Sequence, residues 1–146
     1  MSQSAVISIR QLTNRLENAT SSERLNSLQE LQIIARSEPK LVGEYSLQSV
    51  LDFLKEQGSP EEYQECLDLI DRLIKTRDKS AAIANTGIVL SAAGNVELLL
   101  GKVLVSSDRS LNHVISFAFL FLHLLQSFEV VNICNILGYI RSSGAW

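Results

Sequence analysis

Residues 46–75 read SLQSVLDFLKEQGSPEEYQECLDLIDRLIK, and this stretch decides the fold. In its second half, apolar side chains recur every third or fourth position and so define one face of a helix: Tyr63, Cys66, Leu67, Ile70, Leu73 and Ile74. The first half places four further apolar side chains on one face of an earlier helix, namely Leu47, Val50, Leu51 and Leu54. Only the break at residues 58–60 separates the two predicted helices, which is too short for anything but a helical hairpin.

The start of the second helix is marked by a capping box. Ser59 can cap the helix, Pro60 suits its first position, and Glu62 follows the cap by three residues. The same pattern recurs at Thr20 and Glu23. It opens another predicted helix with an apolar face formed by Leu25, Leu28, Leu31, Ile34 and Ala35.

The two capped helices are related by a shift of 39 residues along the chain. The earlier helix is predicted to end near Ser37, because Pro39 disfavours a helical residue before it. The shift lays Thr20 on Ser59, and it also superimposes the apolar positions: Leu28 on Leu67, Leu31 on Ile70, Ile34 on Leu73 and Ala35 on Ile74.

A shift of 49 residues relates the hairpin to a third copy and lays Asn95 on Ser46 and Asp108 on Ser59. A helical unit that recurs at this spacing is typical of armadillo and HEAT repeats, which are roughly 40–47 residues long. Such units stack because a lone hairpin cannot bury its apolar face. We therefore predict an all-α, right-handed, armadillo/HEAT-like solenoid of two to three units. A plain helical bundle with accidental internal similarity is the alternative.

The repeats are assigned to residues 10–126, with different segments on either side. Residues 1–9 are expected to be a loose N-terminal lead-in, in which Val6, Ile7 and Ile9 could start a short helix. Within the repeats, residues 79–93 are predicted as a further helix, closed by Gly94 as its C-cap. Residues 127–146 are interpreted as an atypical C-terminal helix and tail, in a chain that is truncated or alternatively ended. The exposed apolar end this implies is typical of self-association, further chain or aggregation.

The composition suits one domain with a real core, since 46% of the 146 residues are apolar and 20% are charged. The net charge is −3 and the basic residues are scattered, whereas nucleic-acid binders normally show a basic face. Nucleic acid is therefore not an expected partner. The N-terminus lacks the basic and apolar regions of a secretory signal, so a cytosolic location is predicted.

One apolar run, Val114–Leu125, raises the question of a membrane span. It has 12 residues and is interrupted by Ser116 and His123. A spanning helix needs about 20 apolar residues, so a buried core helix is predicted here and membrane contact is expected only through partners.

No constellation typical of catalysis or of a cofactor site is found in the sequence. Cys66 and Cys134 each lie within an apolar helical pattern and are interpreted as buried free thiols. His113 and His123 would lie about 15 Å apart on a helix, too far to share a metal ion. The Gly-Lys pair at residues 101–102 is followed by a valine, where a phosphate-binding loop needs Ser or Thr.

The carboxylate pairs Glu61–Glu62 and Asp68–Asp71 fall on polar helix faces and are interpreted as solvated surface. General acid–base chemistry needs a pocket that shifts a pKa, so the chain is predicted to be non-catalytic, with no catalytic, cofactor-binding or metal-ligating residues. One basic cluster remains, and it is either favourable charge at a helix C-terminus or a contact for an acidic partner. Its members are Arg72, Lys75, Arg77 and Lys79.

Two runs of the sequence resemble a known family. Residues 11–55, QLTNRLENATSSERLNSLQELQIIARSEPKLVGEYSLQSVLDFLK, look like the start of the armadillo-like head of vesicle-tethering factors, the general vesicular transport factor and its Uso-type counterpart. Residues 95–125, NVELLLGKVLVSSDRSLNHVISFAFLFLHLL, are similar to the next repeat of that head. The family's coiled coil and acidic tail have no counterpart among these 146 residues, in which no heptads with charged flanks occur.

The resemblance implies a non-catalytic protein-interaction scaffold in ER–Golgi and intra-Golgi transport. It further implies a cytoplasmic protein, peripheral on Golgi and transport-vesicle membranes, that forms homodimers and works with Rab-type GTPases, SNAREs and golgins. The alternative is a helical-repeat adaptor or assembly chaperone outside vesicle traffic, for example one related to the proteasome.

Overall fold

The computed structural model describes residues 2–56, 58–92 and 94–105, and every regular element in these ranges is helical. The elements are α1 (Ser2–Asn18), α2 (Ser21–Ser37), α3 (Pro39–Val42), a π-helical turn (Gly43–Leu47), α4 (Gln48–Leu54), α5 (Pro60–Ile74), α6 (Lys79–Leu90) and α7 (Asn95–Val105). The predicted all-α class is confirmed for this part of the chain. The predicted helix at residues 127–146 and the apolar run at residues 114–125 lie outside it.

Helix α1 begins at Ser2, so the expectation of a loose lead-in is wrong for residues 2–9. Ile9, Leu12 and Leu16 are buried at helical spacing, and this apolar stripe packs α1 against the core. The Thr13 hydroxyl donates its proton to the Ile9 carbonyl at 2.6 Å. In the 2.7 Å hydrogen bond between Thr13 and Ser46, the Ser46 hydroxyl is therefore the donor and Thr13 the acceptor, and this bond connects α1 to the π-helical turn.

The first helix of the predicted hairpin is part of a longer helical run that begins at Pro39. Proline suits the first turn of a helix because its missing N–H would have no partner there. The run continues through the π-helical turn into α4. At that turn, a Cβ on Gly43 would lie 1.7 Å from the Asn85 side-chain oxygen, so only glycine lets α6 approach this closely.

The apolar stripes predicted for the hairpin are confirmed. All six stripe residues of α5 and all four of the preceding helical run are buried. In α2, three of the five predicted positions are fully buried, namely Leu28, Leu31 and Ala35, while Leu25 and Ile34 are half-buried. These faces meet in one continuous core.

Helices α2 and α5 pack against each other, and contacts near both ends indicate that they run in the same direction. Ser21 in the first turn of α2 bonds to Glu62 in the first turn of α5. Towards the other ends, Gln32 of α2 borders the same groove as Asp71 and Lys75 of α5. The two helices that the 39-residue shift relates are therefore neighbours.

The C-terminal end of α6 differs from the prediction. The helix ends at Leu90 with Ser91 as its cap, so Gly94 is not the C-cap of this helix. Instead, the Gly94 carbonyl accepts from the Leu98 N–H at 2.9 Å, at the start of α7. The buried Asn95 side chain donates to the Val89 carbonyl at 2.9 Å, which satisfies the end of α6 and fixes the entry of α7.

Candidate functional site: a polar groove between two capped helices

A buried carboxylate joins the N-termini of α2 and α5. The Glu62 side chain is 1% exposed. One of its oxygens accepts from the Ser21 hydroxyl and, at 2.8 Å, from the Arg24 guanidinium. The other accepts from the Ser59 backbone N–H at 3.1 Å and closes the capping box. The interpretation of Glu62 as solvated surface is therefore wrong, because its capping position also faces α2.

The donors around Glu62 keep its carboxylate ionised. Burial alone raises the pKa of Glu62, but the hydrogen bonds from Ser21, from the Ser59 N–H and from Arg24, together with the charge of Arg24, bring it below the ordinary value of 4.5. The guanidinium of Arg24 also stacks over the Phe53 ring at 5.4 Å. This junction sets the register of α2 against α5 and so positions the groove farther along the same pair.

The groove itself lies between the C-terminal parts of α2 and α5 and has a volume of about 460 Å³. It is open to solvent and mostly polar. Seven side chains line it: Gln32, Asp68, Asp71, Arg72, Lys75, Thr76 and Arg77. Three cations and two carboxylates thus line one shallow surface.

The acidic groups at the groove have partners on the protein. Asp71 pairs with Lys75 at 2.8 Å, one turn later on α5. Asp68 accepts from the Gln64 amide at 2.8 Å. The Gln32 side chain of α2 donates to the Glu65 carboxylate of α5 at 2.7 Å and so connects the two helices beside the groove.

Two arginines of the groove have a different environment. Arg72 and Arg77 are both exposed, and within the described residues neither forms an ion pair. The structure thus brings three members of the predicted basic cluster into one groove. The fourth, Lys79, is exposed at the first turn of α6 and does not line the groove.

The thiol of Cys66 is buried and free, as predicted. Burial raises its pKa well above the ordinary value, and the charges of Glu62 and Glu65 raise it further, so this thiol stays protonated. No group of three or more potential ligands converges on a metal site in the part of the chain that the structure describes. Cys134, His113 and His123 lie outside that part.

Comparison with known proteins gives no match, whether to family models, to curated proteins or to solved structures. Among the helices that the structure describes, none has the length and apolar character needed to cross a membrane.

Gln32 is a groove residue that the sequence patterns do not predict. The 39-residue shift lays Gln32 on Asp71, but it also pairs polar residues elsewhere, such as Gln29 with Asp68, so the sequence does not single out Gln32. The position of the groove depends on the Ser21–Glu62 contact across 41 residues, which the sequence does not predict.

Proposed function

We propose that this chain is a non-catalytic protein-interaction scaffold, built as an armadillo/HEAT-like right-handed solenoid. The observation that supports it most is the α2–α5 pair. Two helices with equivalent apolar positions and complete capping boxes are neighbours, and their end contacts indicate a common direction, as in stacked repeat units. Such stacks present ridges and shallow grooves that hold segments of other proteins.

Within this class, we propose a role in vesicle tethering, on the strength of the resemblance of residues 11–55 and 95–125 to the head of vesicle-tethering factors. The chain would then be cytoplasmic and peripheral on Golgi and transport-vesicle membranes. Rab-type GTPases, SNAREs and golgins would be its partners, and homodimers its assembly state.

Affinity capture from cytosol, read by mass spectrometry, tests this role. The full chain serves as bait, and Ile70→Asp, which places a charge in the core, serves as an unfolded control bait. We expect Rab-type GTPases, SNAREs or golgins on the native bait and not on the control. Proteasome subunits or assembly chaperones in stoichiometric amounts would instead support the adaptor alternative. General chaperones alone, on both baits, would contradict both roles.

A further inference from the structure

We infer that the groove between α2 and α5 binds an acidic segment of a partner protein, with partner carboxylates at Arg72 and Arg77. This inference rests on the proposed scaffold function and names the chemistry of its partner. The groove is defined by the ends of two helices whose register is fixed by the buried Glu62 junction, so its walls are preorganised.

The charges of the groove decide which kind of segment fits. Its carboxylates already have partners on the protein, since Asp71 forms an ion pair with Lys75 and Asp68 accepts a hydrogen bond from Gln64. The guanidinium groups of Arg72 and Arg77 form no ion pair within the described residues and are exposed. What the groove offers a partner is therefore cationic and rich in N–H donors.

Arginine is well suited to this task, because its planar guanidinium can donate two parallel hydrogen bonds to one carboxylate. Arg72 lies in the last turn of α5 and Arg77 in the following loop, so one short segment could contact both. Thr76, between them on the groove wall, adds a hydroxyl that can donate to the partner backbone or side chain. A basic segment would meet two uncompensated positive charges and is disfavoured.

The test is a direct titration of the purified full chain. The probe is a short fluorescein-labelled peptide of alternating Glu and Ser, and the comparison probe has Gln in place of Glu. Binding is followed by fluorescence anisotropy at several salt concentrations. We expect the acidic peptide to bind, the Gln peptide to bind at least about tenfold more weakly, and the affinity for the acidic peptide to fall with added salt.

The variant R72Q/R77Q removes the two proposed contacts. Its matched control, R15Q/K55Q, removes the same amount of charge from exposed side chains at the C-terminal ends of α1 and α4, outside the groove. We expect R72Q/R77Q to lower the affinity for the acidic peptide by about tenfold or more. The control variant should lower that affinity by less than about twofold. R72K/R77K keeps both positive charges but loses the planar guanidinium groups, and it should bind the acidic peptide with intermediate affinity.

Equal losses in both double variants would mean that net charge, and not the groove, attracts the peptide, and would overturn the inference. Absence of acidic-peptide binding to the native chain would overturn it too. Neither result contradicts the scaffold role if the capture experiment recovers tethering proteins. Conversely, peptide binding that depends on the groove, together with a capture experiment that recovers no tethering proteins, would support the groove as a binding site and contradict the tethering role.

Discussion

At the scale of single residues, Glu62 serves two helices at once. The sequence predicts its capping role, because the box Ser59–Glu62 spans three residues and follows a local rule. It does not predict that Ser21 and Arg24 reach the same carboxylate, because these contacts form only when α2 and α5 pack. A surface interpretation was therefore reasonable for an isolated helix and wrong for the folded chain.

Replacing Glu62 by Gln should destabilise the protein by about 1.5–3 kcal/mol at neutral pH, because a buried, charge-assisted network loses its charge while keeping its shape. The free energy of unfolding from urea titration measures the effect. Glu61→Gln is the matched control, since Glu61 is exposed on the same turn, and it should change stability by less than about 0.5 kcal/mol. Equal effects of the two substitutions would contradict the role assigned to the Glu62 junction.

Glu62 should also make stability depend on pH. Its pKa in the folded protein lies below the ordinary value of 4.5, so the folded state favours the ionised form. Its contribution is therefore complete above pH 4.5 and is lost as the pH falls through the lower, folded-state pKa. Urea titrations between neutral and acidic pH should show a steeper loss of stability in the native protein than in Glu62→Gln. Parallel pH profiles would show that the carboxylate is not held ionised.

Asn85 is a second residue whose importance appears only in the fold. Its amide donates to the Pro39 carbonyl at 3.2 Å and to the Leu73 carbonyl at 2.9 Å, and so joins α6 to two other helices. Its oxygen faces Gly43 so closely that a Cβ there would overlap it. In sequence, Gly43 looks like an ordinary helix-weakening glycine, because its partner lies 42 positions away.

Gly43→Ala should destabilise the protein by about 1–3 kcal/mol, since the new methyl displaces Asn85 and disturbs both of its hydrogen bonds. Gly87→Ala is the control, because a Cβ at this exposed position of α6 would meet nothing within 4 Å. Better helix propensity should there stabilise the protein by up to about 1 kcal/mol. Thermal unfolding distinguishes the two by opposite shifts in Tm. A rise in Tm for Gly43→Ala would disprove the close approach of α6.

At the scale of elements, helices that carry a capping box and an apolar stripe are predicted well from the sequence. Segments without these local patterns are predicted poorly. The boxes at Thr20 and Ser59 and the stripe of α5 rest on spacings within one helix, so sequence suffices. The start of α1 is not predicted because the first residues of the sequence contain no capping box and only a sparse apolar stripe. The end of α6 differs from the prediction because Gly94, although glycine is a typical C-cap residue, instead precedes α7.

The register of α5 is tested by truncating the centre of its stripe. Ile70 is fully buried, so Ile70→Ala should cost about 2–5 kcal/mol through lost burial and the cavity left behind. Ile83 of α6 is 75% exposed, and Ile83→Ala should cost less than about 0.5 kcal/mol. Urea titration of both variants gives the comparison. A loss below about 1 kcal/mol for Ile70→Ala would place that side chain outside the core and shift the register.

At the scale of the whole molecule, the 39-residue shift predicted which helices are equivalent, and the structure makes them neighbours. The groove between them could not be read from sequence. Its lining combines Gln32 of α2 with residues of α5 and the following loop, and these meet only through the packing of the two helices. The armadillo-like stack remains our proposal, and the parallel α2–α5 pair is the feature on which it depends.

Distances between paired spin labels test that feature most directly. Ser22 and Glu61 are exposed equivalents near the two N-termini, and Arg72 is exposed near the other end of α5. Residues 61 and 72 are separated by roughly 16 Å of helix at 1.5 Å per residue. Parallel neighbours should therefore give a clearly shorter distance for labels at Ser22 and Glu61 than for labels at Ser22 and Arg72. The reverse order would mean that α2 and α5 run in opposite directions, and it would contradict the repeat arrangement and the groove together.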